Sequence, residues 1–163
     1  MKTFTQIHVA ISLLGILSGL VVMVGLIKAK RRDSWTAVFL VSTLATSVTG
    51  FLFPFHGITP GIIVGIISVV LLAGAITARY FGGLLGRWRL LYVVTSMVAL
   101  YLNVFVLIAQ LFQKVPSLRA LAPTQTEPSF VVAQVSTLVI FVVLTITAAI
   151  KFRLPGMSRR FTG

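Results

Sequence analysis

The side chains able to do chemistry are few: His8 and His56, the carboxyls of Asp33 and Glu127, and a polar stripe of Ser96, Asn103 and Gln110 with Gln134 as a neighbour. The histidines suggest the most specific chemistry. His8 lies 20 residues before Lys28, and His56 lies 22 residues beyond Ser34. At the α-helical rise these are climbs of about 30 and 33 Å from one boundary. The two imidazoles are thus expected at similar depth, and a histidine pair on adjacent helices is what axial ligation of a b-type haem requires. Against haem, His56 sits between Pro54 and Gly57, in a turn rather than inside a helix. Zinc fits less well, because two histidines with no nearby Cys or Asp do not complete a tetrahedral site.

The rest of the chemical inventory is mostly absence. The sequence has no cysteine, which removes disulfides and thiolate chemistry together. Asp33 and Glu127 are its two acids, and neither falls within an apolar run. Proton relays and ion-coupled transport use intramembrane carboxylates, so neither is expected. No carboxylate pair, nucleophile–base pair or phosphate-cradling loop can be assembled, so no catalytic residue is assigned and the chain is read as non-enzymatic. No cofactor is expected unless the histidine pair takes haem b.

These residues are positioned by apolar runs. Ile7–Ile27, Trp35–Phe55, Ile58–Tyr80, Leu90–Phe112 and Phe130–Ile150 each reach the roughly 20 residues needed to cross a hydrocarbon layer. Over the 163 residues, 58% are hydrophobic and 10% charged, against about 25% charged in soluble domains. The fold class expected is all-α: a single transmembrane domain, a bundle of five transmembrane helices, with an outer loop over 113–129 and a basic tail over 151–163. Lys2 and the first apolar run resemble a signal peptide, but the run is too long and its cations come after it, so it is read as an uncleaved span.

Cation placement gives the orientation. One set of connectors holds Lys28, Lys30, Arg31, Arg32, Arg79, Arg87, Arg89, Lys151, Arg153, Arg159 and Arg160, whereas the other holds Lys2, Lys114 and Arg119. Eleven against three puts the first set in the cytoplasm, the N-terminus outside and the C-terminus inside. Trp35, Tyr80, Trp88 and Tyr92 fall near that same boundary, where Arg79 is expected to snorkel toward the headgroups. The net charge of +12 is therefore read as topology and attraction to anionic lipid at the cytoplasmic face, not as nucleic-acid binding.

Within the runs, Gly15 and Gly19 form one G-x-x-x-G and Gly61 and Gly65 another, each a face for close helix packing. Along the fourth run, Tyr92, Ser96, Ala99, Asn103, Val106, Gln110 and Gln113 make one small or polar stripe. Asn103 needs hydrogen-bond partners there, from Gln134 and Thr137 or from Thr43, Thr46 and Thr49. Asp33 and Ser34 offer N-caps, Pro60 suits a first helical turn, and Pro116 opens a short turn through Ala120. Gly82, Gly83 and Gly86 punctuate the connector before the fourth run.

Three stretches carry a resemblance: F-L-F-P-F-H-G-I-T-P-G (Phe51 to Gly61), A-L-Y-L-N-V-F-V-L (Ala99 to Leu107) and A-P-T-Q-T-E-P (Ala122 to Pro128). They look like those of small uncharacterised bacterial inner-membrane proteins. The resemblance implies a multi-pass inner-membrane location and no activity. Three functions are expected in order: an accessory subunit that packs against itself or a membrane partner, a small haem electron-transfer protein, and a passive path for a small neutral solute along the polar stripe.

Overall fold

A computed structural model of the protein describes residues 2–54 and 60–153. The described residues are helical, without a strand. Helix α1 spans Lys2–Ile27, α2 Asp33–Phe51, α3 Pro60–Ile76, α4 Arg87–Lys114, α5 Pro116–Leu121 and α6 Pro128–Lys151; a π-helical turn, Thr77–Phe81, continues α3. With that turn included, α1, α2, α3, α4 and α6 are five helices long and apolar enough to cross a membrane, which suggests a multi-pass membrane protein. The short α5 lies in the long connector.

Helix ends depart from the sequence reading where backbone chemistry overrides hydropathy. Helix α1 runs five residues further toward the N-terminus than its apolar core, through Thr3, Phe4 and Thr5. Helix α2 stops at Phe51, because Pro54 cannot supply the next amide. The expected hairpin turn over 55–59, with His56, lies outside the described residues. Asp33 and Ser34 do not cap α2: Arg32 takes the N-cap position, with no side-chain bond, and the Asp33 carboxylate serves guanidinium groups instead. Charge-assisted bonds outcompete a backbone amide.

At the end of α1, the Lys30 amide donates to Gly25 O and the Ala29 amide to Leu26 O. This double closure is a Schellman cap, with Ala29 at φ 53° where glycine is usual. The connector after α3 folds similarly, with Gly83, Leu84 and Gly86 at positive φ. A Cβ on Gly82 would lie 2.3 Å from Trp88 Cγ, so the indole packs directly on that backbone.

The helices form a closed ring, α1–α2–α3–α4–α6 and back to α1, with α4 also touching α1 across it. Gly19 permits that crossing. A Cβ there would stand 2.6 Å from Leu100 Cδ1 of α4 and 2.9 Å from the Phe39 ring of α2. Gly15 is one turn away, 3.2 Å from Thr43 Oγ1 by the same measure. Gly65 faces the Phe51 ring, whereas Gly61 is exposed. Lipid supplies no hydrophobic drive for helix association, so close backbone approach and dispersion must hold such a bundle.

Most of the large, fully buried side chains gather toward one end. Leu72, Ala75, Ala78, Leu84, Tyr92, Val93, Met97 and Ala148 form one cluster with Phe39, Leu100 and Phe152. This basic end also carries the cation-rich connectors. The other, the loop end, holds the start of α1 and the α4–α6 connector.

Candidate functional site

Inside the basic end lies a guanidinium that hydropathy places at the surface. The Arg79 side chain is 4% exposed. The π turn that carries it ends with the Gly82 amide donating to Thr77 O, five residues back. One extra residue in a helical turn rotates the downstream chain by roughly 100°. Arg79 thus points inward, a correction to the expected snorkelling, and Tyr92 is buried with it. Trp35, Tyr80 and Trp88 are exposed.

A buried cation must be paired. Arg79 NH2 donates to Asp33 Oδ1, and its NH1 donates to the Tyr92 hydroxyl at 3.3 Å. The guanidinium carbon also lies 5.3 Å from the Tyr92 ring centroid and 5.8 Å from that of Tyr80, within cation–π range. Thr36 Oγ1 sits 3.3 Å from the Tyr92 hydroxyl and completes the chain. Asp33 is shared: Arg31 Nε also donates to it, at 3.3 Å, and the carboxylate is 64% exposed. Lys30, Arg31, Arg32, Thr36, Arg79 and Tyr92 line a narrow cleft between these elements, whose enclosed part, about 10 Å³, is close to the room one water needs. Nearby, Arg89 NH1 donates to Ala149 O at 2.8 Å and to Phe152 O. A cation thereby satisfies the carbonyls at the C-terminus of α6, where the helix dipole favours it.

The expected polar stripe does not form one connected chain. Asn103 Nδ2 donates to Thr43 Oγ1 at 3.1 Å, linking α4 to α2. Gln134 Nε2 donates to Phe105 O at 3.1 Å, linking α6 to α4 instead of reaching Asn103. Ser96 is buried one turn from Tyr92, whereas Gln110 is exposed. The period of the stripe is readable in sequence, but each residue's partner depends on which helix stands opposite. Gln134 Oε1 and Thr46 Oγ1 are buried without a hydrogen-bond partner among the described residues.

At the loop end, His8 Nδ1 lies 2.8 Å from Thr49 Oγ1. The Thr49 hydroxyl donates to Ala45 O at 2.7 Å. Its single proton spent, it accepts from His8 Nδ1–H and leaves the lone pair on Nε2. Phe53 meets the imidazole edge-on at 5.1 Å, and Phe4 packs on Phe53 at 4.9 Å. His56 lies outside the described residues, so the expected pair reduces here to His8. Among the described residues, no group of three or more His, Cys, Asp or Glu is placed to hold a metal ion.

The α4–α6 connector folds on itself. Glu127 accepts from the Thr124 amide at 3.1 Å, the Thr124 hydroxyl at 2.9 Å and the Thr126 amide at 3.0 Å. Desolvation, the largest single influence, raises its pKa, but these bonds and its own amide together outweigh it and hold the carboxyl below its usual range. Gln125, at φ 60°, donates to Ala109 O at 2.8 Å and accepts from Gln113 at 3.1 Å. Compared with known proteins, the chain matches no family model, no curated sequence and no solved structure.

Proposed function

We propose that this chain is a multi-pass protein of a bacterial inner membrane that acts through contacts instead of catalysis, as an accessory or interaction subunit. Its N-terminus lies outside and its C-terminus in the cytoplasm. The carrying observation is charge placement. Lys28, Lys30, Arg31, Arg32, Arg79, Arg87, Arg89, Lys151 and Arg153 share the basic end, while Lys2, Lys114 and Arg119 belong to the other. Cations in short connectors stay cytoplasmic and attract anionic lipid. The interior supports a packing role, because the Asn103 and Gln134 amides are committed to neighbouring helices. The same commitments weaken the reading of a solute path, which solute flux in liposomes unchanged by Asn103→Leu would remove.

Cysteine labelling tests the orientation on a background free of native thiols. Ser117→Cys is expected to react with an impermeant reagent from outside, and Ser158→Cys only after the membrane is opened. The reversed pattern overturns the reading. Co-purification from the native membrane tests the accessory role, for which a stoichiometric membrane partner or a homo-oligomer is expected.

The haem reading keeps one specific support, the lone pair that Thr49 leaves on His8 Nε2. An absorption spectrum decides it. A Soret band lost in both His8→Ala and His56→Ala supports haem, and a colourless preparation removes it.

A further inference from the structure

We infer that the cleft beside Arg79 is a binding site for a phosphate group, the head group of an anionic phospholipid being the source that the basic end would meet. The inference rests on the proposed orientation, which brings the cleft to the cytoplasmic leaflet. Four cations, Lys30, Arg31, Arg32 and Arg79, surround it, and Asp33 is the single carboxylate among them. Among the described residues, Lys30 and Arg32 form no ion pair. The four cations therefore retain an excess of three positive charges at one opening. Charge of one sign lining a low-dielectric cleft concentrates counter-ions there.

The floor of the cleft is built, unlike a loose surface patch. Arg79 is held from behind by the Tyr92 hydroxyl and ring, and Thr36 in turn holds Tyr92. Of the five N–H donors of a guanidinium, the bonds to Tyr92 and Asp33 engage two. The π turn that aims Arg79 inward is a local irregularity of a kind frequent at functional sites. The rim is fixed as well, because the Schellman cap at Ala29 and the bare backbone of Gly25 set where Lys30 and Arg32 stand. A Cβ on Gly25 would meet Arg32 Cγ at 2.7 Å and Lys30 O at 2.9 Å. Guanidinium groups match phosphate oxygens in pairs, and the Tyr92 and Thr36 hydroxyls lie within the same lining. The enclosed floor is too small for a phosphate, so the group sits at the mouth, with acyl chains running down the outside of the bundle. Basic pockets between helices on the cytoplasmic side bind phospholipid head groups by this chemistry.

The test uses the full chain, purified in detergent, with native mass spectrometry for bound lipid and thermal unfolding for stability. The probes are phosphatidylglycerol, phosphatidylcholine and inorganic phosphate. One retained phosphatidylglycerol and a raised unfolding temperature, absent with phosphatidylcholine, are expected. Lys30→Gln and Arg32→Gln are exposed changes that leave the core alone. Each is expected to weaken retention about fivefold, as for one cation near a charged membrane surface. Lys151→Gln, outside the cleft, is expected to leave it unchanged. Stabilisation by inorganic phosphate alone, lost in the same two variants, also supports the site and identifies a soluble source. Retention insensitive to Lys30→Gln and Arg32→Gln, or lowered equally by Lys151→Gln, overturns the site. Those failures leave the cysteine pattern of Ser117 and Ser158 intact, whereas a reversed pattern overturns the orientation on which the site depends.

Discussion

The two ends of the bundle are held by different means. At the basic end, side chains from α1, α2, α3, α4 and α6 interlock around Leu72, Ala75 and Val93, each with no exposed surface. At the loop end, the first buried residue of α1 is Gly15, and discrete polar links hold the helices and the connector: His8 joins α1 to Thr49 of α2, Gln125 ties the connector to Ala109 of α4, and Glu127 closes its own turn. Dense packing tolerates a charge in its midst only when partners surround it, as at Arg79. Polar links suit an end where the connector is long and packing is sparse. The difference separates a rigid end, able to preform a cleft, from an end whose order depends on individual bonds.

Core truncation should break the contrast most strongly. Leu72→Ala is expected to lower stability by about 2 kcal/mol, the low end for large-to-small changes, because lipid tails replace much of what burial provides in water. Leu17→Ala, at a position 61% exposed, should change little. Unfolding in mixed detergent checks both, and equal losses would erase the distinction. Gly82→Ala places a methyl against the Trp88 ring and should cost about 1–3 kcal/mol by overpacking. The same assay reads it.

At the loop end, Thr49→Val removes the partner of His8 and should cost about 0.6 kcal/mol, the usual value for an interhelical bond in a membrane. The smallest effect is one of pH. Hydrogen bonds depress the Glu127 pKa, so its contribution is full above the ordinary value of 4.5 and fades as pH falls through the lower folded value. Proteolysis of the connector should rise only in strong acid, and Glu127→Gln should remove that pH dependence. A connector equally resistant at every pH would show that Glu127 does not hold it.

Much of this architecture is legible in the sequence because lipid-spanning helices need long apolar runs, and five such runs are visible. Pro60 and Pro116 stand at the helix starts they suggest, since a missing amide is harmless there. Thr43 is among the partners expected for Asn103, because both lie near mid-span. Arg79 departs from its expected place for a physical reason. Hydropathy assumes a regular 3.6-residue turn, and the π turn breaks that period by one residue. Its partner Asp33 is 46 positions away, a pairing that depends on how α2 and α3 pack and leaves no local trace. Gly61 and Gly65 share one spacing, yet only Gly65 has Phe51 opposite.

Helix α4 has 28 residues, about 42 Å of rod, and touches α1, α3, α5 and α6. It is also the fourth long helix to emerge during synthesis. The first three leave the ribosome able to pair only α1 with α2 and α2 with α3. The Gly19 notch and the inward-pointing Arg79, whose partner is Tyr92, wait for a keystone that arrives late. Final assembly must therefore take place within the membrane, after insertion, and a nascent chain cut before Arg87 would leave its small-residue faces open to whatever other helix drifts past.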